Sequence, residues 1–494
     1  MHLVRWISLL LLLALVGSVL PISASSPPAS PPPPALELAA ANVDLLSAPV
    51  LLDEATPSAL KHPKLDSALV RLAQVAEESP ERAVGLAAAQ LLRVSEGRVQ
   101  TQVTTSADRL KRAVQAITEA GGVVTKVGYQ DTLIQAWLPV DALERVAASP
   151  DVLSIRRPME FATLGEVNPS ALTSEGLWAM NAHVWHAAGY RGAGVKIGII
   201  DGGFLGYSAL RGTELPAAIT VKTFVDGETD DKVDGSSPHG TACAEIIHDI
   251  APDATLYLAK INTDIDLEQA ANWLLAQGVD IVSVSLGWFH EAGDGTGYLS
   301  SIIAGVRSAG VLWVNAAGNE RESHWRGLFT DTDGNGFQDF NLDGAPYPVN
   351  FFGPGDGRVY LIPAGTYLRV IARWSDWENV DQDLDLHMVR LNPSTNNWDF
   401  IASSMAAQSG QYGQKPLEVV ETMTTGGSTA YGVVIQRYGT VRDVNIDLFI
   451  ANGSWPFHDT VHDHSLTLPG DSPYALTVAA LDVDAPYLQE SYSS

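Results

Sequence analysis

Three polar residues stand at positions where a chain of alternating strands and helices concentrates chemistry. Asp201 directly follows a mostly apolar run, His239 opens a helical pattern, and Asn319 follows a second apolar run. A carboxylate beside an imidazole fixes its tautomer and stabilises the cation that forms during proton transfer. A side-chain amide on a loop donates to a developing oxyanion. Taken singly, Asp201 also fits a turn that ends a strand and Asn319 an ordinary Gly-Asn turn, so the three are informative only together.

The elements around these residues indicate a parallel sheet. From Gly192 onward, buried-strand patterns alternate with helical patterns, which is typical of doubly wound α/β folds. In such folds the functional site lies beyond the carboxyl ends of the strands. The predicted strands are 195–200, 255–260, 280–284 and 311–315, and the predicted helices are 239–250, 266–277 and 298–309.

The order of these three residues resembles that of the subtilisin-like serine peptidases, the subtilases. Gly192–Asp201 resembles the family's aspartate motif, His239–Thr241 its histidine motif and Ala316–Asn319 its oxyanion-hole motif. The resemblance implies that Asp201 orients His239 and that His239 deprotonates a nucleophilic serine. It also implies that Asn319 stabilises the tetrahedral oxyanion.

A further motif indicates how a polypeptide substrate is held. Val282–Gly287 resembles the strand that lines the substrate cleft of the family. The resemblance implies that Ser285, Leu286 and Gly287 bind the substrate through main-chain hydrogen bonds.

The nucleophile of the family is not found. It belongs to a Gly-Thr-Ser-(small)-Ala motif that opens a long helix, and no such motif occurs. Ser403–Ala407 has a similar spelling, but it falls inside a β-rich stretch and no helical pattern follows Ser404. The resemblance resumes at 469–494, the stretch that precedes the serine motif. We therefore expect a truncated precursor whose serine lies downstream, so that the chain as given is inactive.

The chain divides into segments of different composition. Residues 93–160 follow the split βαβ order of a ferredoxin-like α+β unit and resemble the inhibitory propeptide of the family, which implies that the propeptide is an intramolecular partner. The fold class expected is α/β, with this propeptide before it and an antiparallel β-sandwich inserted in it. The predicted segments are a signal peptide (1–25), a Pro/Ser linker (26–36), an Ala/Leu-rich, partly helical stretch (37–92), the propeptide (93–160), the first part of the peptidase domain (161–325), the β-sandwich insertion (326–465) and the resumed peptidase domain (466–494).

Charge and cysteine content exclude other classes of protein. The formal net charge of −27 argues against nucleic acid as a partner because phosphate repels such a surface. The single cysteine, Cys243, allows no internal disulfide, and its helical position predicts a core residue. The apolar run 7–19, preceded by Arg5, predicts secretion with no stable membrane span after signal cleavage; an uncleaved membrane anchor is the alternative.

Two loops are candidate metal sites. Asp331, Asp333 and Asn335 occupy positions one, three and five of a calcium-loop pattern with Gly336 at six, and Asp339 is a fourth candidate ligand for Ca²⁺. Position twelve is Leu342 instead of Glu, so a plain acidic turn is the alternative. A transition-metal site is also conceivable, although clustered loop histidines are usually only exposed. Its ligands would be His458, His462 and His464 with Asp459 and Asp463.

Function is therefore expected to be peptide-bond hydrolysis by a secreted serine endopeptidase. The competing interpretation is a secreted binding protein, in which the α/β domain is a pseudoprotease scaffold and the β-sandwich recognises a ligand. A metal-dependent hydrolase that uses the histidine cluster is the third possibility.

Overall fold

The computed structural model describes residues 40–41, 61–163, 173–342, 344–438, 442–451, 455–483 and 486–494. The predicted signal peptide and linker, and most of the stretch 37–60, lie outside the described residues. Within the described part, no helix is both long enough and apolar enough to cross a bilayer.

An N-terminal α+β unit occupies residues 61–156. Its sheet is antiparallel, with β4, β5 and β3 adjacent in that order and with β2 and β6 both paired to β3. Before it, β1 (Ala40–Ala41) pairs antiparallel with the distant strand β18 (Val359–Tyr360). The helices are α1 (Ser67–Glu78), α2 (Pro80–Ala89), α3 (Leu110–Glu119) and α4 (Leu143–Ala147), and the strands are β2 (Val94–Ser95), β3 (Arg98–Thr104), β4 (Val123–Gly128), β5 (Leu133–Pro139) and β6 (Ser154–Arg156).

The core of this unit crosses the boundary predicted between residues 92 and 93. Leu69 and Leu72 of α1 are buried in the same apolar cluster as Val99 and Val103 of β3. Asp66 begins α1, its side chain accepting a hydrogen bond from the Leu69 amide. The Ala/Leu-rich stretch therefore belongs, from residue 61, to the same folded unit as the segment that follows it.

A central parallel sheet follows, with strand order β25-β13-β11-β8-β10-β9, in which β25 is Leu476–Val478. Ile197 and Ile199 of β8 pack on one face and Ile200 on the other, so helices cover both faces. The predicted parallel α/β fold is confirmed. The strands are β7 (Ala162–Thr163), β8 (Lys196–Asp201), β9 (Thr220–Thr223), β10 (Thr255–Lys260), β11 (Ile281–Val284), β12 (Leu286–Gly287) and β13 (Leu312–Ala316), and the helices are α5 (Gly176–Ala179), α6 (Ala182–Ala187), α7 (Tyr207–Leu210), α8 (His239–Ile250), α9 (Asp264–Gln277) and α10 (Tyr298–Ser308).

A β-rich insertion, residues 324–450, separates β13 from β25. It contains two four-stranded antiparallel sheets, β14-β24-β19-β22 and β17-β23-β20-β21, and the hairpin β15-β16. The strands are β14 (His324–Leu328), β15 (Phe340–Leu342), β16 (Ala345–Tyr347), β17 (Asn350–Phe351), β18 (Val359–Tyr360), β19 (Tyr367–Trp374), β20 (Asp383–Asn392), β21 (Asn397–Ser404), β22 (Leu417–Met423), β23 (Tyr431–Tyr438), β24 (Asn445–Ile450) and, beyond the insertion, β25 (Leu476–Val478).

Candidate active site

An aspartate and a histidine meet at the carboxyl edge of the central sheet. Asp201 is the last residue of β8, and His239 is the first residue of α8. The Asp201 Oδ2 and His239 Nδ1 atoms lie 2.7 Å apart. Both side chains are almost completely buried, Asp201 at 0% and His239 at 3% exposure. The pair is therefore shielded from bulk water. A hydrogen bond between ionisable groups is stronger in such a buried environment than in water.

Two glycines allow the strand and the helix to approach this closely. A Cβ at Gly240 would lie 2.7 Å from the Asp201 Cβ, and a Cβ at Gly203 would overlap the backbone of the loop before α8. The Gly240 amide also donates to the Gly203 carbonyl at 3.1 Å, which joins the two loops. Small residues at these positions explain why a buried His–Asp contact forms here.

The proton positions in the pair depend on whether Asp201 is ionised. Burial raises the pKa of the Asp201 carboxyl, and hydrogen bonds from His239 and from the backbone amides of Gly202 and Gly203 oppose that rise. As a carboxylate, Asp201 can only accept, so His239 Nδ1 carries the proton that it donates. His239 Nε2 is then the nitrogen that can take a proton, as a general base requires.

The short strand β12 is hydrogen-bonded to another segment of the same chain. β12 pairs antiparallel with β7, Leu286 opposite Thr163 and Gly287 opposite Ala162. Just before β7, the Phe161 ring packs edge-on against Trp288 at 5.8 Å. A Cβ at Gly202 would overlap that ring. The segment 157–163, here called the tail, thus runs along β12 and past the residue that follows Asp201.

Asn319 lies on the loop after β13, two strands from β8 at the same edge of the sheet. Its backbone amide donates to the Glu320 Oε2 atom at 2.7 Å. Glu320 is 1% exposed, and burial raises the pKa of its carboxyl to about 8. Glu320 is therefore a buried titratable group directly beside Asn319 that the sequence pattern did not indicate.

Comparisons with known proteins show what this chain is similar to. Residues 192–350 match the sequence model of the subtilase family. The resemblance to subtilisin-like serine peptidases is thereby confirmed. Subtilisin E of Bacillus subtilis is 26% identical over 238 residues, 44% of this chain and 58% of its own. Subtilisin DY of Bacillus licheniformis is 30% identical over 161 residues, 30% of this chain and 56% of its own.

The chain thus spans under three fifths of the length of these two curated relatives. Among solved structures, the CspB protease of Clostridium perfringens is 13% identical with a TM-score of 0.39, over 63% of this chain and 73% of its own. Fervidolysin of Fervidobacterium pennivorans is 16% identical with a TM-score of 0.31, over 56% of this chain and 44% of its own.

The single cysteine lies next to the Asp201–His239 pair. The ligand-type atoms of Asp201, His239 and Cys243 lie within 4.8 Å of one another. Burial and the nearby Asp201 charge raise the pKa of the Cys243 thiol to about 12. Since the thiolate is the nucleophilic form, a thiol of this kind is inert near neutral pH.

We therefore expect iodoacetamide to leave Cys243 unmodified in the folded chain at a pH of about 8.5, the usual pKa of a free thiol. The same reagent should modify it fully after denaturation in guanidinium. Mass spectrometry of the two samples measures the difference, and rapid modification of the folded chain would show an ionised thiol.

The other predicted sites are less compact. In the loop 331–339 the residues bond mainly to one another, for example Thr332 to the Asp339 carboxylate and the Asn335 amide to Asp333. Among the described residues, the only three acidic, histidine or cysteine side chains that converge within metal-binding distance are those around Asp201. The histidine cluster is thus not brought together, and His458 stacks on Phe351.

Ser404, the serine whose neighbouring residues resemble the serine motif of the family, lies on β21 of the insertion. It is 5% exposed, and its hydroxyl donates to the Glu418 carboxylate. The same oxygen accepts the Val419 amide at 3.3 Å. Ser404 is thus a buried structural residue of the insertion.

Proposed function

We propose that this protein is a secreted serine endopeptidase that is made as a precursor. The observation that carries the proposal is the buried 2.7 Å contact between Asp201 and His239 at the carboxyl edge of a parallel sheet. The match of residues 192–350 to the subtilases supports the same assignment. A polypeptide is the substrate class, because β12 accepts an extended chain as an added strand.

The proposed mechanism gives each residue one role. His239 Nε2 takes the proton of a serine hydroxyl while that oxygen attacks the peptide carbonyl, and it then returns the proton to the leaving amine. Asp201 holds the imidazole in the required tautomer and stabilises the imidazolium. The Asn319 amide donates to the oxyanion. The serine belongs to a motif that residues 1–494 do not contain, and we place it downstream of them.

We also propose that the N-terminal α+β unit is a propeptide that inhibits the enzyme. Its sheet bonds to the central domain through side chains, including Gln102 to Asp264 at 2.7 Å and Lys126 to Asp266 at 2.8 Å. Its tail then covers the strand that a substrate would use. A segment that fills the cleft in this way competes directly with substrate.

The position of the tail predicts where processing occurs. Ala162 and Thr163 pair with β12, the strand that a substrate would use. β6, which ends at Arg156, pairs instead with β3 of the N-terminal sheet. We expect the mature protein to begin after Thr163 and before Leu177, within the first residues of the predicted peptidase segment 161–325. Edman sequencing of the secreted product measures this end, and a mature protein that begins before Phe161 would contradict the substrate-like placement of the tail.

The proposed activity is tested with the gene product that continues beyond residue 494. We expect it to hydrolyse casein, to lose activity with a serine-directed phosphonate and to keep it with a zinc-selective chelator. The reverse pattern would indicate metal-dependent hydrolysis. If a folded and processed product does not hydrolyse casein, the interpretation as a binding scaffold is favoured.

Calcium binding by the loop 331–339 remains a proposal. Asp331 supports it, because its side chain is 3% exposed and its Oδ1 atom has no hydrogen-bond partner. An unpaired carboxylate oxygen inside a loop of oxygen ligands suits a hard cation. The ligands would be Asp331, Asp333, Asn335 and Asp339, and the ion would stiffen the loop between β14 and β15.

Millimolar calcium is therefore expected to raise the unfolding free energy by roughly 1–3 kcal/mol, the linkage gain at about ten to a hundred times the dissociation constant. Denaturant titration with and without the ion measures it. The Asp331→Asn variant should lose the gain, whereas Asp356→Asn, in an exposed turn elsewhere in the insertion, should keep it. An equal response of both variants would contradict a site at this loop.

A further inference from the structure

The tail is enclosed from two sides by different parts of the molecule. On one side the central domain holds it through the strand pair with β12 and through the Asp264 amide, which donates to the Met159 carbonyl at 3.2 Å. On the other side lies the sheet β14-β24-β19-β22 of the insertion. An apolar cluster joins all three parts, with Met159 and Ala162 from the tail, Phe289 from the central domain, and Ile371, Leu417, Val419 and Phe449 from the insertion, together with Ala451 directly after it.

Two charged side chains of the insertion contact the tail directly. Arg369 on β19 donates to the Phe161 carbonyl at 3.3 Å. Glu421 on β22 lies opposite Arg369 in the register and accepts the Arg157 guanidinium at 2.9 Å. The Arg369 and Glu421 side chains are 8% and 10% exposed. These contacts are buried, where one unpaired charge is costly.

The two oxygens of Glu421 are used differently. Oε1 pairs with the Arg369 guanidinium at 3.1 Å and accepts the Tyr367 hydroxyl at 2.8 Å, and both partners belong to the insertion. Oε2 takes Arg157 of the tail. Although burial opposes ionisation, Arg369 and Arg157 together hold the pKa of Glu421 below its usual range. When the tail leaves, Oε2 loses its cation and the insertion supplies no replacement contact of this kind in the described structure.

The insertion is fixed to the central domain independently of the tail. The Arg373 guanidinium donates to the Glu291 carbonyl at 3.1 Å, and the Lys415 ammonium donates to the His290 carbonyl at 3.2 Å. The Phe289 and Phe449 rings pack 4.9 Å apart. The sheet β14-β24-β19-β22, which carries Arg369 and Glu421, is therefore attached to the central domain by contacts of its own.

We propose that the β-rich insertion forms an additional subsite of the cleft, in which Glu421 selects a basic side chain and Arg369 holds the backbone carbonyl four residues further along the bound peptide. This proposal rests on the proposed peptidase function. It concerns which substrate side chain the enzyme prefers upstream of the residues that pair with β12. In the precursor, Arg157 fills the subsite. In the processed enzyme, an arginine or lysine of a polypeptide substrate takes the same place, upstream of the residues that pair with β12.

The selectivity of the subsite is measurable without catalysis in the 494-residue chain. Hydrogen exchange of the peptide that covers residues 157–163 reports how firmly the tail is held. We expect Arg157→Gln to increase its exchange rate about tenfold, Arg157→Lys to change it much less, and Glu421→Gln to act like Arg157→Gln.

The matched control is Asp383→Asn, an isosteric change on the same insertion. Asp383 pairs with Lys61 at 2.8 Å, which is a contact with the N-terminal unit away from the tail. This variant should leave exchange of 157–163 unchanged, and circular dichroism should show that all variants fold. Equal exchange in Glu421→Gln and in the unmodified chain would overturn the subsite.

A substrate experiment separates this inference from the proposed function. With the gene product that continues beyond residue 494, a peptide with arginine four residues before its phenylalanine should be cleaved about tenfold better than its glutamine counterpart, and Glu421→Gln should remove the difference. Equal cleavage of both peptides by the unmodified enzyme overturns the substrate subsite and leaves the peptidase standing. Absence of cleavage of either peptide refutes the peptidase itself, and the subsite for substrate with it.

Discussion

Replacing Asp201 by asparagine is expected to lower kcat of the processed peptidase by about 10⁴-fold, with KM changed little. The Asp201 carboxylate accepts the His239 Nδ1 proton at 2.7 Å. An asparagine amide can donate to Nδ1 instead, which moves the proton to Nε2 and removes the base. Steady-state kinetics on a chromogenic peptide measure the loss.

The control for this variant is Asp280→Asn. Asp280 is an exposed aspartate at the amino end of β11, where its carboxylate accepts the Lys196 amide at 2.9 Å. It lies at the opposite edge of the same sheet, so its substitution should leave kcat unchanged. A small effect of Asp201→Asn would mean that the buried pair is structural.

Replacing Asn319 by alanine is expected to lower kcat by about 10²–10³-fold, because one donor to the oxyanion is lost. Since this hydrogen bond forms in the transition state, KM should stay nearly constant. Measurement of kcat and KM separately distinguishes this from loss of substrate binding.

The Asn319→Asp variant completes that test. A carboxylate of the same shape cannot donate, so it should lose at least as much activity as alanine. A raised KM with an unchanged kcat would assign Asn319 to substrate binding. Thermal melting of both variants shows whether the loop after β13 remains folded.

Local sequence was sufficient to predict the candidate site because its residues stand at element ends. Apolar runs located β8 and β13, and the helix that begins at His239 has the bounds predicted for it. A parallel sheet aligns the carboxyl ends of its strands, so Asp201 and Asn319 had to share one edge. The pairing of Asp201 with His239 follows from this alignment and from the glycines that let the two loops touch.

The remaining features depend on tertiary contacts that leave little local pattern. β9 is a four-residue edge strand, Thr220–Thr223, whose Thr-Val-Lys-Thr spelling carries no clear hydrophobic signal. The boundary placed between residues 92 and 93 failed to anticipate that the helices before it complete the core of the strands after it. Packing across distant parts of the chain decided both.

The face of the insertion that contacts the tail could not be predicted from the local sequence either. Arg369 lies between Leu368 and Val370 on β19, and Glu421 lies between Val420 and Thr422 on β22, so the local sequence does not indicate what covers these two charged side chains. Their side chains are nevertheless only 8% and 10% exposed, because the tail and the central domain cover that face. Sequence alone could not reveal that residues more than 200 positions apart, such as Arg157 and Glu421, form an ion pair.

Labelling with a fluorophosphonate tests the central claim most directly, since this reagent reacts with serines that an adjacent base has activated. We predict labelling of the gene product that continues beyond residue 494, loss of that label in its His239→Ala variant, and no labelling of the 494-residue chain. Labelling that survives His239→Ala, or that appears on the 494-residue chain at Ser404, would contradict the account. No labelling of the longer product would favour a binding scaffold.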